Sequence, residues 1–121
     1  LLILGMNAYD PGLEWYMYEF FEGVAERDRA RFPNYDDLTK RLDELGFDEV
    51  RRGIAHQVDE RLVGEEVFNQ EFLSRRGCSQ MALLNDEAYA RGIQRIREQI
   101  RQNPEYVFRV YVPLEYLLAI K

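Results

Sequence analysis

The sequence predicts an α/β fold in which a three-stranded mixed sheet carries several helices. Three observations support this class: an apolar run at residues 1–6, amphipathic helical patterns that alternate with extended segments, and a final segment rich in β-branched and aromatic residues. The predicted order is strand, helix, helix, strand, helix, helix, strand. At 121 residues the chain has the size of one domain, which we assign to residues 1–121.

The first strand and the first helix are separated by a turn. The aliphatic side chains of LLILGM indicate a strand buried on both faces, and the turn residues YDPG follow it. Residues 13–29 are predicted to form one helix, because most of their apolar side chains fall on one arc of the helical wheel. Trp15 and Tyr16 lie outside that arc. They therefore need a second surface, which is either a ligand cavity or a neighbouring helix.

The second helix has clear signals at both ends. Asn34 is predicted to be its N-cap, and Gly46 occupies the left-handed position that ends a helix. Phe47 is placed to pack back on the helix as in a Schellman motif. Between these ends, leucines recur at helical spacing: Leu38, Leu42 and Leu45.

The remaining elements complete the alternation. An extended strand is predicted over residues 49–59, followed by helices over residues 65–76 and 86–102. The last strand lies within VFRVYVPLEYLLAIK and is interrupted at, or begins at, Pro113. One face of the middle strand is predicted to carry larger aliphatic residues and the other face small ones: Val50, Ile54 and Val58 against Gly53 and Ala55.

Charge and composition disfavour several classes of function. The formal net charge of −6 argues against nucleic acid as a partner, because nucleic-acid binding draws its affinity from clustered Lys and Arg. No apolar run approaches the roughly 20 residues that a membrane-spanning helix requires, so we expect no membrane insertion. The single cysteine, Cys78, cannot form an intrachain disulfide or a Cys-based zinc site, which favours a reducing, cytoplasmic setting.

Local catalytic motifs are missing from the sequence. It contains no glycine-rich phosphate loop, no GxSxG elbow and no His-Glu-x-x-His arrangement. His56 is the only histidine and is predicted to pack or hydrogen-bond on the sheet. Arg75 and Arg76 lie close enough in sequence to lower the pKa of Cys78, but no paired base accompanies this thiol. A complete small enzyme that uses His56 or Cys78 is the least favoured reading.

Three stretches, taken in order, carry a family resemblance. The first is the apolar strand and loop LLILGMNAYDPG, and the second is RFPNYDDLTKRLDELGFDEVRRG, a helix followed by Gly-Phe and an extended strand. The third is LSRRGCSQMALLNDEAYARGIQRIRE together with the terminal strand VPLEYLLAIK. In this order they resemble the C-terminal half of class I S-adenosylmethionine-dependent methyltransferases with a Rossmann-like fold.

The resemblance implies the C-terminal part of a seven-stranded sheet, with the last strand between the first and the middle strand and antiparallel to both. Residues 10–33 and 60–105, approximately, would be insertions that form a helical cap over the substrate. No residue matches the cofactor motifs of the family, which precede its fifth strand. The resemblance therefore implies that an N-terminal cofactor-binding half is absent from this chain and is its partner in the intact protein. S-adenosylmethionine would be the cofactor there and would not bind this chain strongly.

The implied activity is methyl transfer to a small-molecule substrate by the intact protein, with this chain inactive alone. Tyr9, Trp15, Tyr16, Ser79 and Gln80 are the candidate substrate contacts, and packing or helix capping is their alternative role. No catalytic residue, cofactor-binding residue or metal ligand is assigned. A non-enzymatic α/β binding or dimerisation module is the alternative function. A homodimer through the exposed edge of the first strand is compatible with either function.

Overall fold

The computed structural model describes residues 1–121 and contains an open sheet of four strands with several helices. The strands are β1 (Leu2–Met6), β2 (Glu14–Trp15), β3 (Glu49–Val63) and β4 (Val107–Ile120). The α-helices are α1 (Tyr16–Phe20), α2 (Val24–Arg31), α3 (Tyr35–Glu44), α4 (Ser79–Ala82) and α5 (Asp86–Gln102). Two 3₁₀-helices, Gly64–Asn69 and Glu71–Leu73, lie between β3 and α4.

Strand β4 is the centre of the sheet because it pairs with every other strand. On one side β3 pairs with it along its whole length, and on the other side β1 and β2 pair with successive segments of it. All three pairings are antiparallel, so β1 and β3 run parallel to each other. The predicted position of the last strand, between the first and the middle strand, is confirmed.

The predicted sheet of three mixed strands is wrong in two respects, since the sheet has four strands and is antiparallel. The additional strand, β2, is only two residues long, which is too short to give an alternating pattern. Strand β4 also continues through Pro113, which pairs with Gln57 of β3. On the opposite edge, Pro113 falls between the segment that pairs with β1 and the segment that pairs with β2.

A β-bulge at Ala55 changes which face of the sheet each residue of β3 occupies. The register shifts here, because Ile54 pairs with Glu115 whereas His56 pairs with Leu114. One extra residue in a strand reverses the alternation of all residues beyond it. The prediction that Val50, Ile54 and Val58 share a face is therefore wrong, since Val58 lies on the face opposite to the other two.

The two faces of β4 belong to different cores. Phe108, Val110 and Val112 alternate onto one face and pack in a large core with α1, α2, α4 and α5. Leu117 and Ala119 lie on the other face and pack with Tyr35 and Leu42 of α3, which we call the α3 core. Because directly opposite residues in an antiparallel pair share a face, Met6, Val58 and Leu114 lie on the face of the large core.

The predicted helix over residues 13–29 is divided into β2, α1 and α2. Phe21 is extended after α1, and Gly23 adopts a left-handed conformation with φ +82° before α2 begins. The segment at residues 65–76 forms the two 3₁₀-helices instead of an α-helix. In both segments the expected apolar spacing is present, and tertiary packing decides where the helical hydrogen bonding stops.

The predicted ends of helices α3 and α5 are confirmed. The Asn34 side chain caps α3 by accepting hydrogen bonds from the backbone N–H groups of Asp36 and Asp37. Gly46 has φ +86°, and the Phe47 N–H donates to the carbonyl of Leu42 at 3.3 Å, as a Schellman ending requires. Helix α5 begins and ends at the predicted residues.

Candidate functional site

A cavity of about 190 Å³ lies between the sheet and the segments that cover it. Its sheet side is formed by residues from all four strands: Met6, Trp15, Val58, Val112 and Leu114. Its cover is formed by Phe72 of the second 3₁₀-helix, by Cys78 immediately before α4, and by Gln80 of α4. We call this space the apolar cavity, because none of the lining side chains carries a formal charge at neutral pH and most are hydrophobic.

The apolar cavity lies at the carboxyl end of β1. Met6 is the last residue of that strand. Trp15 belongs to β2, the short strand that pairs with β4 after the intervening turn. In open α/β sheets, ligands characteristically bind outside the carboxyl ends of parallel strands. β1 and β3 run in the same direction on either side of β4 without pairing with each other, and both contribute to the cavity.

Trp15 forms an aromatic wall of the cavity. Its side chain is buried, with 7% of the residue surface exposed, and its ring lies 5.7 Å from the ring of Tyr18 and 6.2 Å from that of Phe72. The indole Nε1 is also buried and has no hydrogen-bond acceptor in the protein. A buried donor without an acceptor costs about 1 to 3 kcal/mol. Packing alone therefore holds the indole ring in place.

Gln80 is fixed in the wall of the cavity by a buried carboxylate, Asp28 of α2. The Gln80 amide donates to Asp28 Oδ2 at 3.0 Å, and the Tyr18 hydroxyl donates to the same oxygen at 2.6 Å. Arg31 donates to Oδ1 through Nε and Nη2, at 3.2 Å and 3.0 Å. Burial, and then the hydrogen bond to Asp28, raise the pKa of Tyr18, so the phenol keeps its proton and remains a donor at neutral pH. We call Asp28, Tyr18, Arg31 and Gln80 the Asp28 network.

Two of the five candidate contacts, Trp15 and Gln80, line the apolar cavity, and the other three lie elsewhere. Tyr9 is 44% exposed, and its hydroxyl donates to the carbonyl of Arg29 at 2.6 Å. Tyr16 is buried in the large core and donates to the side chain of Gln70. The Ser79 hydroxyl accepts a hydrogen bond from Arg31 at 2.7 Å. Tyr9 and Ser79 thus link neighbouring segments, and Tyr16 is part of the core that carries the cavity.

Cys78 lines the cavity but is not activated. Burial raises the pKa of its thiol, and Sγ donates to the carbonyl of Phe72 at 3.4 Å. The expectation that Arg75 lowers this pKa fails, because the Arg75 guanidinium donates to the carbonyls of Met81 and Leu84 and to the carboxylate of Asp86. The thiol therefore contributes an uncharged wall rather than a nucleophile.

His56 is exposed rather than packed on the sheet as predicted. The bulge at Ala55 places it opposite Leu114 and on the face of the apolar cavity. No sequence pattern indicates this placement, because the alternation of β3 without a bulge would put His56 on the other face.

A second, larger cleft of about 440 Å³ is lined by Glu60, Glu66 and Glu71 together with Phe72. Two of these carboxylates have structural partners: Glu60 accepts a hydrogen bond from Gln70, and Glu66 accepts one from the backbone N–H of Val63. No group of three or more His, Cys, Asp or Glu side chains is placed to hold a metal ion. Local structure therefore accounts for two of the three carboxylates of this cleft.

A scan of protein-family models and a search of curated proteins find no match to this chain. Function is therefore inferred from the topology of the sheet and from the apolar cavity. None of the helices combines the length and the apolar character needed to cross a membrane.

Proposed function

We propose that this chain is the C-terminal, substrate-cap portion of an S-adenosylmethionine-dependent methyltransferase that acts on a small molecule. The observation that carries the proposal is the sheet order β1-β4-β3, in which an antiparallel last strand lies between two strands that are parallel to each other. The family that the sequence resembles has this order at the C-terminal edge of its sheet. The position of the apolar cavity, at the carboxyl end of β1 and beneath residues 60–105, supports a substrate site there.

The outer edge of β1 supports a partner in the intact protein. Strand β1 pairs only with β4, so its other edge offers unpaired backbone N–H and carbonyl groups. Leu2 and Leu4 point to the face of the large core, yet they are 63% and 61% exposed because no helix covers this part of the sheet. In the proposal, the cofactor-binding half pairs with this edge and covers these leucines.

The residues of this chain do not fit S-adenosylmethionine. That cofactor carries a sulfonium, an amino acid group and a ribose, which require charged and polar partners. Among the polar groups that line the apolar cavity, Gln80 donates to Asp28 and Cys78 donates to Phe72, which leaves the uncharged indole N–H of Trp15 as the donor without an acceptor. In the proposed enzyme the bound cofactor supplies the methyl group, and this chain contributes only the walls that orient the substrate and exclude water.

Calorimetric titration of the 121-residue chain with S-adenosylmethionine is expected to show no binding in the micromolar range. The physical reason is that no charged side chain lines the apolar cavity, so the sulfonium and the amino acid group of the cofactor would have no charged partner there. A micromolar Kd would contradict the assignment of the cofactor site to another part of the protein. The second measurement is the genomic reading frame. The proposal requires an upstream segment with a strand and a glycine-rich loop, and a frame without them would also contradict it.

The alternative function, a binding or dimerisation module, is favoured by the same exposed edge and leucines. If a homodimer forms through β1, the Leu4→Lys substitution is expected to shift sedimentation from dimer to monomer, because it places a charge on the apolar face. Leu45→Lys is the matched control, since Leu45 is 57% exposed at the end of α3, which packs on the face of the sheet opposite to Leu4. A wild-type chain that stays monomeric at every concentration would rule out this alternative.

A further inference from the structure

We propose that the apolar cavity binds an uncharged aromatic ring, either a single ring or a small fused pair. Its role as the methyl-accepting substrate rests on the proposed function, whereas binding itself is a property of this chain. The proposal depends on the size of the cavity, on the chemistry of its walls and on the aromatic side chains among them.

The size of the cavity sets the size of the ligand. Its volume is about 190 Å³. An apolar protein cavity of about 150 Å³ is large enough to admit benzene. The space is therefore large enough for one aromatic ring with small substituents.

The walls of the cavity select against charge. Met6, Val58, Val112 and Leu114 provide an aliphatic surface from three strands. No charged side chain lines the space, and Gln80 is committed to Asp28. A carboxylate or ammonium group buried here would lose its hydration without a compensating partner, at a cost that excludes tight binding.

Two aromatic side chains favour a ring over an aliphatic ligand. Trp15 and Phe72 meet edge to face, with an angle of 73° between their planes, and both line the cavity. Aromatic pairs in such arrangements gain free energy beyond the area they bury. Both rings are held by packing and line the cavity, so they present aromatic surface that a ligand ring can stack on or meet edge to face.

The test uses toluene as the uncharged ring and benzoate as the same ring with a charge. Trp15 is the only tryptophan, so its indole N–H gives one resonance in a two-dimensional NMR spectrum of the chain. Toluene is expected to shift this resonance in a saturable manner. Benzoate is expected to bind with an affinity at least about tenfold lower, because its carboxylate has no partner. Absence of a saturable shift with toluene, or equal affinity for benzoate, would overturn the proposal.

A matched pair of variants locates the ligand. Val58→Phe fills the cavity from β3 and is expected to weaken toluene binding about tenfold or more, because the added ring occupies the ligand volume. Val50→Phe makes the same change on the same strand, but at the α3 core, and is expected to leave binding unchanged. Equal binding by wild type and a folded Val58→Phe variant would place the ligand elsewhere and overturn the proposal.

A measurement on the wild-type chain avoids dependence on folded variants. Cys78 is the only cysteine, lines the cavity and is partly exposed. Saturating toluene is expected to slow alkylation of Cys78 by iodoacetamide several-fold at constant pH, and an unchanged rate would contradict the proposal.

Failure of the cavity assignment and failure of the proposed function are distinguishable. If toluene binds to this chain but the intact protein methylates no small molecule, the proposed function fails and the cavity assignment stands. If the intact protein is a methyltransferase and toluene does not bind to this chain, the cavity assignment alone fails.

Discussion

Replacement of Gly64 by alanine is expected to lower the free energy of unfolding by about 2 to 5 kcal/mol. Gly64 connects β3 to the first 3₁₀-helix with φ +55°, a conformation that L-residues adopt only with strain. A Cβ at this position would also lie 2.2 Å from the backbone carbonyl oxygen of Pro104, which cannot move like a side chain. Chemical denaturation of wild type and variant measures the difference.

The matched control is Gly46→Ala at the end of α3. Gly46 also has a positive φ, +86°, but a Cβ there would meet no atom within 4 Å. In this variant the free energy of unfolding is expected to fall by about 1 to 2 kcal/mol, which is the cost of holding alanine in a left-handed backbone conformation. Equal losses in the two variants would show that the close approach of Pro104 contributes nothing to the cost at Gly64.

Replacement of Asp28 by alanine is expected to lower the free energy of unfolding by about 3 kcal/mol. Asp28 is 1% exposed, and its removal leaves the donors of Tyr18 and Gln80 buried without an acceptor. We assign less of the loss to Arg31, because its side chain is 28% exposed and can turn to water. The variant is also expected to weaken toluene binding, since Gln80 would no longer be held in the wall of the apolar cavity.

Asp43→Ala, on the exposed side of α3, provides the control for loss of a carboxylate. It is expected to change the free energy of unfolding by less than about 0.5 kcal/mol, as substitutions at exposed positions usually do. Asp28→Asn keeps one acceptor oxygen and is expected to fall between the two alanine variants. A loss at Asp28→Ala as small as that at Asp43→Ala would mean that the Asp28 network does not stabilise the fold.

Elements with strong local signals were predictable from the sequence. Helix α5 has an apolar stripe and clear stop signals, and α3 has a side-chain cap at Asn34 and a left-handed glycine at Gly46. The central position of β4 followed from the resemblance rather than from any local pattern, because sheet order depends on contacts distant in sequence.

The rest depended on tertiary structure. The two-residue strand β2 exists only because β4 offers it a partner, and the bulge at Ala55 is visible only when β3 is paired. The apolar cavity is assembled from four strands and two covering segments, so sequence spacing could not identify Met6, Val58 or Leu114 as lining residues. Different sequence features point to Trp15 and to Gln80, and only the fold places them at one cavity.

The bulge at Ala55 has a consequence for how this protein can change during evolution. It divides β3 into a first half that serves the α3 core and a second half that serves the apolar cavity. Substitutions at distant positions without shared partners usually have additive effects on stability. Residues such as Val58 can therefore vary and reshape the apolar cavity, while Val50 and its neighbours keep α3 attached to the sheet.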